Sequence, residues 1–450
     1  MPPRALCDND FTMVIEHEDY MGIAIPGTIL ELRGQVVKAV EWNHDAGEVT
    51  IRCNRDRRFK ATEHRRGTPG LIERYLRRTI MDVPLAGKRC LVDIEYVQVF
   101  VHNRTPVEGL SFVEPGQRVT NRMARLVSAL CRHMTISAVA RYTGLSWDTV
   151  KNLDKRWLSK QLPPLRPELL EGLRQIGVDE VARAKGHDYL TLVYDMASGN
   201  LLWIKEGRTA EVFGEFLQAL SAECADGIEA VAMDMGLAYQ SAVRQWLPDA
   251  NIVFDRFHVM QMYSKVIKQV RRAEFSKADA EHKEKIKGTS YLLLSNRDKL
   301  DGDGENRLQQ LLDTNQTLHT VYTLKEQLQA LWQSPPTVAA MHTRLEDWCK
   351  LAEASKITAL KTFSKSLKSH AVGICNYAAY PITSAAIEAG NVGIGLIRKR
   401  ARGMLDTEYL KLKIRQLNLP DTAEPFYPIW RAKPTKINSE NVAKNEKTTV

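Results

Sequence analysis

Residues 174–258 contain the stretches that decide the fold: RQIGVDEVA (174–182), DYLTLVYDMA (188–197), NLLWIKEG (200–207), TAEVFGEFLQAL (209–220), IEAVAMDM (228–235), LAYQSAVRQWLP (237–248) and ANIVFDRFH (250–258). The first three alternate apolar and polar residues between short turns, which predicts an antiparallel meander. The fourth and sixth have the apolar spacing of amphipathic helices. The fifth is almost continuously apolar, as in a strand covered on both faces. The predicted order is therefore β-β-β-α-β-α-β.

This order is that of the ribonuclease H-like fold, a mixed sheet with helices on its faces. Its first and fourth strands lie side by side, and here they are expected to end at Asp179 and Asp234. Two carboxylates at such a short distance repel each other unless a cation lies between them. Their hard oxygen atoms favour Mg²⁺ or Mn²⁺ as that cation. With a third carboxylate, two such ions can activate a water or 3′-hydroxyl and stabilise the leaving oxygen of a phosphoryl transfer. One strand-end Asp alone would more often be a loop cap, but the pair favours a metal site.

Composition and charge limit the other possibilities. The 450 residues are 44% hydrophobic and 26% charged, and the net charge is 63 − 54 = +9. This composition excludes a wholly disordered chain and a collagen, and no apolar run is long enough to cross a bilayer. Seven scattered cysteines without a C-x-x-C pair argue against disulfides and give little support for a structural zinc. We expect a soluble cytoplasmic protein with no membrane partner.

The chain outside the central stretches divides into segments of different character. Residues 1–115 alternate in the manner of strands and predict a β-rich N-terminal domain, with a dense basic block at 52–78 that includes Arg57 and Arg58. Residues 116–162 have helical periodicity and precede a proline-rich joint. The catalytic domain is expected at 170–420, with a helical insertion at about 259–375. Residues 421–450 predict a flexible tail.

The segment TISAVARYTGLSWDTVKNLDKRWL (135–158) has the layout of a helix-turn-helix. Gly144 fits the turn, Ser146 can cap the second helix, and Val150 and Leu153 are expected to bury it. A polar face near the start of that helix suits reading of the DNA major groove, and its expected contacts are Trp147, Thr149, Lys151 and Asn152. The alternative is an ordinary helical hairpin, but the basic flanks favour DNA binding.

A third carboxylate must come from a later helix. In ITSAAIEAGNVGIGLIRKRARG (382–403), Glu388 precedes Asn391 by one turn and is followed by the cations Arg398, Lys399 and Arg400. A metal-binding carboxylate followed by cations for the phosphate backbone suits one helix at a DNA-cutting site.

At these residues the chain resembles the insertion-sequence DDE transposases of the ISL-three type. The resemblance runs from about 118 to 415 and rests on VDEVARAKGHDYLTLVYD (178–195), VAMDMGLAYQSAV (231–243), NIVFDRFHV (251–259) and TSAAIEAGNVGIGLIRKRARGMLDTEYL (383–410). It implies a zinc ribbon, a helix-turn-helix and a ribonuclease H-like core interrupted before its last Glu. It also implies the catalytic and metal-binding acids Asp179, Asp234 and Glu388, with two Mg²⁺ (or Mn²⁺), cleavage at terminal inverted repeats and joining to target DNA. A homodimer on double-stranded DNA, associated with the bacterial nucleoid, is the expected assembly.

The chain also departs from the family pattern. Cys53 lacks the paired cysteine of a ribbon, and Ser384 and Gly395 stand where the family commonly has Asn and Lys or Gln. These changes spare the acids but affect positions that would contact terminal DNA. Two other functions stay open: a non-catalytic DNA-binding regulator derived from a transposase, and a structure-selective nuclease.

Three further side chains have alternative interpretations. Asp255 and His258 in FDRFH could support the active site or could cap a helix and fill the core. Asp195 is a rival carboxylate, but the residues after it predict a turn. Trp332 and Trp348 are expected in the core of the insertion rather than as platforms for bases.

Overall fold

The computed structural model of the protein describes residues 13–16, 30–64, 66–184, 188–333, 337–382, 385–401 and 403–419. The chain divides into two compact units, residues 1–163 with 400–450 and residues 164–399. Within the described ranges, no helix is both long and apolar enough to cross a membrane.

The first unit begins with a mixed five-stranded sheet. In chain order its strands are β1 (Met13–Glu16), β2 (Gln35–Asn43), β3 (Glu48–Arg55), β4 (Leu71–Leu85) and β5 (Lys88–Phe100). Their spatial order is β1-β2-β3-β5-β4, with β3 and β5 parallel and the other pairs antiparallel. The prediction of a β-rich N-terminal region is confirmed, although Cys7 and residues 17–25 lie outside the described ranges.

The cysteines of this sheet belong to its apolar core. Cys53 on β3 and Cys90 on β5 are buried in one hydrophobic cluster with Val49, Ile51 and Val92. Burial raises the pKa of each of the two thiols to about 12. Thiols in such surroundings behave as small apolar side chains rather than as metal-binding thiolates.

Three helices follow the sheet: α1 (Asn121–His133), α2 (Ile136–Thr143) and α3 (Trp147–Gln161). Gly144 ends α2 with φ +71°, a conformation in which glycine is unstrained, and Ser146 accepts a hydrogen bond from the Thr149 N–H at the start of α3. Val150 and Leu153 are buried against α1 and α2. The helix-turn-helix layout predicted for 135–158 is thus confirmed.

The second unit is built on another mixed five-stranded sheet. Its strands are β6 (Gln175–Ala184), β7 (Asp188–Asp195), β8 (Leu201–Glu206), β9 (Ala230–Met233) and β10 (Asn251–Phe254), and its helices up to β10 are α4 (Ala210–Ala219), α5 (Ala222–Asp226) and α6 (Leu237–Trp246). The spatial order is β8-β7-β6-β9-β10. The pairs β6–β7 and β7–β8 are antiparallel, and the pairs β6–β9 and β9–β10 are parallel. The predicted element order is confirmed, with α5 as an added short helix.

The rest of the described chain is helical. The helices are α7 (Arg256–Lys277), α8 (Ala280–Ile286), α9 (Ser290–Leu294), α10 (Gly302–Thr314), α11 (Gln316–Ala330), α12 (Val338–Ala354), α13 (Thr358–Ser369), α14 (Ala371–Cys375), α15 (Ala385–Ala401) and α16 (Thr407–Gln416), with 3₁₀ turns at Pro167–Leu169, Arg297–Lys299 and Asn376–Ala378. Trp332 and Trp348 are buried in the core that α7–α14 share with the sheet. Their core placement agrees with the prediction.

The last helix lies in the first unit. Tyr409 and Leu412 on α16 join an apolar cluster with Leu158 and Leu162, at the end of α3 and just after it. The sequence analysis included residues up to 420 in the catalytic domain. In the structure, the apolar face of α16 is buried against the helix-turn-helix.

Candidate active site

The pairing of β6 with β9 brings two of the predicted acids together. Gly177 on β6 pairs with Ala232 on β9 in parallel register. Asp179 and Asp234 each follow two residues later, so they stand at equivalent positions. Asp234 directly follows the last residue of β9, as predicted. The predicted end of the first strand at Asp179 is wrong, because β6 continues to Ala184 through its pairing with β7.

The third predicted acid reaches the same place on α15. Asp179, Asp234, Glu388 and Asn391 line one cleft, together with Asp255 and His258. The cleft has a volume of about 70 Å³, which suits ions and waters better than an organic ligand, since small-molecule sites usually measure about 300–1,000 Å³. All six residues predicted as catalytic or supporting therefore share one site.

Two glycines allow α15 to lie close to the sheet. A Cβ on Gly177 would overlap the Met196 sulfur and would lie 2.9 Å from Ile387 Cδ1 on α15. A Cβ on Gly390 would lie 2.8 Å from the hydroxyl oxygen of Tyr194 on β7. These distances are shorter than side-chain contacts allow, so glycine at both positions sets how closely Glu388 approaches the strand acids.

Asp179 is held by two donors. The Asn391 amide donates to its Oδ2 at 2.6 Å, and the Glu180 N–H donates to its Oδ1 at 2.7 Å. Burial raises the pKa of Asp179, while these two hydrogen bonds and the nearby His258 oppose the rise. The Oδ1 atom of Asn391 is buried without a hydrogen-bond partner in the described structure. The amide therefore presents a free oxygen in the same cleft as the acids.

Asp255 and His258 form a pair at the start of α7. Asp255 caps the helix by accepting from the Phe257 N–H, and its Oδ2 lies 3.0 Å from His258 Nδ1. The hydrogen bond that Asp255 accepts from His258 raises the pKa of His258, burial opposes this, and the charges of Asp179 and Asp234 raise it further. Asp255 therefore caps α7, as one of the two interpretations expects, and the His258 imidazole lies in the cleft beside the acids.

Glu180 is a further carboxylate close to Asp179 and Asp234 that the sequence analysis did not single out. The Tyr239 hydroxyl on α6 donates to it at 3.4 Å, and Arg208 lies 3.6 Å away. Burial raises the pKa of Glu180, and the neighbouring Asp234 raises it further. Its position beside Asp179 on an apolar strand was the available signal. Asp195 instead accepts hydrogen bonds from the N–H groups of Ala197 and Ser198, which confirms the predicted turn.

Comparison with known proteins now decides the family. The family model described as "Transposase" (DDE_Tnp_ISL3) matches residues 176–414, and the model described as "Helix-turn-helix domain of transposase family ISL3" matches residues 108–158. The transposase for insertion sequence element IS1001 of Bordetella parapertussis is 34% identical over 391 residues, 85% of this chain and 95% of that protein. The chain belongs to the ISL3 family of transposases.

A second relative supports the assignment. The transposase for insertion sequence element IS1557 of Mycobacterium tuberculosis is 26% identical over 298 residues, 61% of this chain and 66% of that protein. The protein is thus a DNA transposase with a DDE domain and a helix-turn-helix.

DDE transposases use divalent metal ions, so the donors of the cleft have to fit such an ion. In the described parts of the chain, no three Asp, Glu, His or Cys side chains converge closely enough to form a ready-made site. The chemistry of the cleft nevertheless fits, because its acids are hard oxygen donors and the orphaned Asn391 Oδ1 adds another. These residues are the ones that would hold the metal.

The residues predicted to read DNA lie on α3 and differ in how exposed they are. Trp147 is 46% exposed and Asn152 is exposed, while Thr149 is half-buried and its hydroxyl contacts Ser146. Lys151, predicted to point freely outward, instead forms an ion pair with Asp406 at 2.9 Å. The sequence analysis missed this partner because Asp406 lies more than 250 residues further along the chain.

The basic segments are also partly engaged within the protein. Arg55, in the 52–78 block, is buried and paired with Glu108, and Arg58 is paired with Asp56. Arg57 is exposed and lies over the Tyr75 ring. Residues 71–78 of the block form the first part of β4, so the arginines there lie on an edge strand of the sheet. On α15, the exposed Arg400 donates to the Arg132 carbonyl, and Arg398 and Lys399 precede it on the same turn.

Proposed function

We propose that this transposase cuts and joins DNA with Asp179, Asp234 and Glu388 as its catalytic acids, on a core of the ribonuclease H-like fold. The observation that carries the proposal is the shared cleft. The acids are 234 − 179 = 55 and 388 − 234 = 154 residues apart in the chain, yet all three line it. The adjacency of β6 and β9 in the mixed sheet supports the fold assignment.

The acids would hold two Mg²⁺ or Mn²⁺ ions, which supply activation of the attacking oxygen and stabilisation of the leaving oxygen. The chain's own residues prepare this site. Asn391 and the Glu180 N–H favour the ionised form of Asp179 against the effect of its burial. His258, which pairs with Asp255, lies beside Asp179 and Asp234, and a positive charge on its imidazole would offset their mutual repulsion.

DNA recognition is assigned to the helix-turn-helix. The exposed start of α3, with Trp147 and Asn152, would read the terminal inverted repeats of the element, assisted by Thr149 and Lys151. Exposed cations such as Arg57 and Lys399, with Arg58, Arg398 and Arg400, would contact phosphates of the repeat or of target DNA. Because two ends must be cut together, we propose a homodimer on DNA, associated with the nucleoid.

The test is strand cleavage of a duplex that carries the element's terminal repeat, with Mg²⁺ and purified full-length protein. The wild type should nick at the repeat end, and Asp234→Asn should bind the duplex equally well but cleave at least about a hundredfold more slowly, since it loses an essential acid. Asp195→Asn is the matched control, because it makes the same change at the turn after β7. Chelation of the metal with EDTA should abolish cleavage and leave binding intact.

Other outcomes would favour the other functions. Repeat binding without cleavage by the wild type would indicate a DNA-binding regulator. Cleavage that follows DNA structure and ignores the repeat would indicate a structure-selective nuclease. Cleavage by Asp234→Asn at the wild-type rate would refute the assignment of the acids.

A further inference from the structure

The helix α16 is attached to α3 by a buried polar network as well as by apolar contacts. Asp154 on α3 is fully buried and accepts from the Ser128 hydroxyl at 2.6 Å and the Tyr409 hydroxyl at 2.5 Å. The Lys413 ammonium lies 3.2 Å from the same carboxylate and also donates to the Cys131 carbonyl. Groups buried this deeply require all their partners, so α16 is an integral fourth helix of the DNA-binding unit.

The N-terminus of α16 reaches the cations of α3. Asp406 caps α16 by accepting from the Tyr409 N–H. Its carboxylate lies 2.9 Å from both Lys151 Nζ and Lys155 Nζ. Burial raises the pKa of Asp406, but the two lysines more than compensate and hold it well below its usual range. The carboxylate is therefore charged under all conditions in which DNA binding is measured.

This arrangement governs two charges beside the reading surface. The side chains of Lys151 and Lys155 are 23% and 34% exposed, so DNA phosphates could reach them. While one carboxylate holds both ammonium groups, their net contribution to the field around α3 is reduced from two charges to one. Non-specific DNA binding depends almost entirely on such charges, whereas specific binding also uses contacts with base edges.

We propose that Asp406 is a specificity-determining residue of the transposase, which withholds Lys151 and Lys155 from the phosphates of non-cognate DNA. The inference rests on the proposed role of α3 in reading the terminal repeat. It adds a residue that lies outside the matched helix-turn-helix segment, 108–158.

The expected effect follows from counterion release. Each lysine freed to contact a phosphate changes the slope of log K against log salt concentration by about −0.9. Removal of the Asp406 charge should therefore steepen the slope for non-specific DNA by about 1–2. The affinity for non-specific DNA should rise by roughly tenfold at low salt, on the order of threefold for each freed lysine.

The experiment compares Asp406→Asn with the wild type, as full-length proteins. Asn is as good a helix N-cap as Asp, so this variant removes the charge and keeps the cap of α16. Fluorescence anisotropy would measure binding to two duplexes across a salt series, one with the element's terminal repeat and one with the same bases scrambled. We expect tighter binding and a steeper slope for the scrambled duplex, with a smaller gain for the repeat, so the specificity ratio falls.

Glu408→Gln is the matched control. Glu408 lies in the first turn of the same helix, is 69% exposed and pairs with Lys411 rather than with α3. It changes the net charge equally, so its effect on the scrambled duplex should stay within about twofold. Thermal unfolding of each variant would verify that α16 remains folded.

The inference would be overturned by an unchanged affinity and slope for scrambled DNA, by an equal effect of Glu408→Gln, or by an equal gain for both duplexes. Weaker binding of the repeat by Asp406→Asn would also overturn it, since Asp406 would then be positioning the lysines for DNA. A wild type without preference for the repeat would refute the proposed function instead. The scrambled-duplex series would still decide whether Asp406 withholds the lysines.

Discussion

Addition of one methyl group at Gly390 should move the Glu388 carboxylate away from the other acids. The Cβ of Gly390→Ala would stand 2.8 Å from the Tyr194 hydroxyl oxygen, and ordinary contact begins at about 3.4 Å. The helix α15 or the tyrosine must therefore shift by about 0.6 Å (3.4 − 2.8). Because Glu388 precedes Gly390 by two residues on the same helix, a shift of α15 displaces the carboxylate from Asp179 and Asp234.

The magnitude follows from the tolerance of active-site geometry. A misplacement of about 1 Å can lower a catalytic rate by about a hundredfold, so we expect Gly390→Ala to cleave terminal-repeat DNA about ten- to thirtyfold more slowly. The effect on stability should be smaller. Overpacking costs about 1–3 kcal/mol, and replacement of a helical glycine by alanine returns about 1 kcal/mol. Single-turnover cleavage and urea-induced unfolding would measure the two quantities separately.

The same helix offers a control and the sheet offers a rescue. Gly395→Ala adds a methyl group with nothing within 4 Å, so it should leave the single-turnover rate of cleavage of bound DNA unchanged and stabilise α15 slightly. Tyr194→Phe removes the oxygen that the new Cβ would meet, so combined with Gly390→Ala it should restore most of the rate. Wild-type cleavage by Gly390→Ala, or failure of Tyr194→Phe to rescue a slow variant, would refute the argument that close approach of α15 sets the site.

Two further predictions concern hydrogen bonds. Asn391→Leu removes a donor that favours ionised Asp179, so the pKa of Asp179 should rise further and the acid limb of the pH–rate profile should move to higher pH. An unshifted limb would contradict this. Asp154→Asn leaves the Lys413 ammonium buried without its counter-charge and should lower the free energy of unfolding by about 3–5 kcal/mol in urea titrations. Asp154→Leu combined with Lys413→Met should recover much of this loss. A loss below about 1 kcal/mol for Asp154→Asn would show that the network contributes little.

Local patterns predicted much of the fold because they report which faces are buried. The alternation and the apolar runs of 174–258 predicted all five strands of the second sheet, and the capping residues predicted α2 and α3. Strand β4 lies within the predicted β-rich region, and its first half carries arginines of the basic block. That strand forms because β5 supplies its hydrogen bonds and because Asp93 pairs with Arg77. Both partners lie on the next strand, which a two-residue turn joins to β4.

The sequence by itself determined the chemistry available to this protein: three acids of the right type, a cationic helix-turn-helix and an order of elements that brings two strands together. Strand periodicity and helix capping are local, so they can be read without a partner. Only the tertiary structure decided how α15 meets the sheet through Gly177 and Gly390, that Asn391 holds Asp179, and that Asp406 holds two lysines of the reading helix. Those contacts join residues more than 190 positions apart, and no local period in the chain encodes which distant side chain will fill a given space.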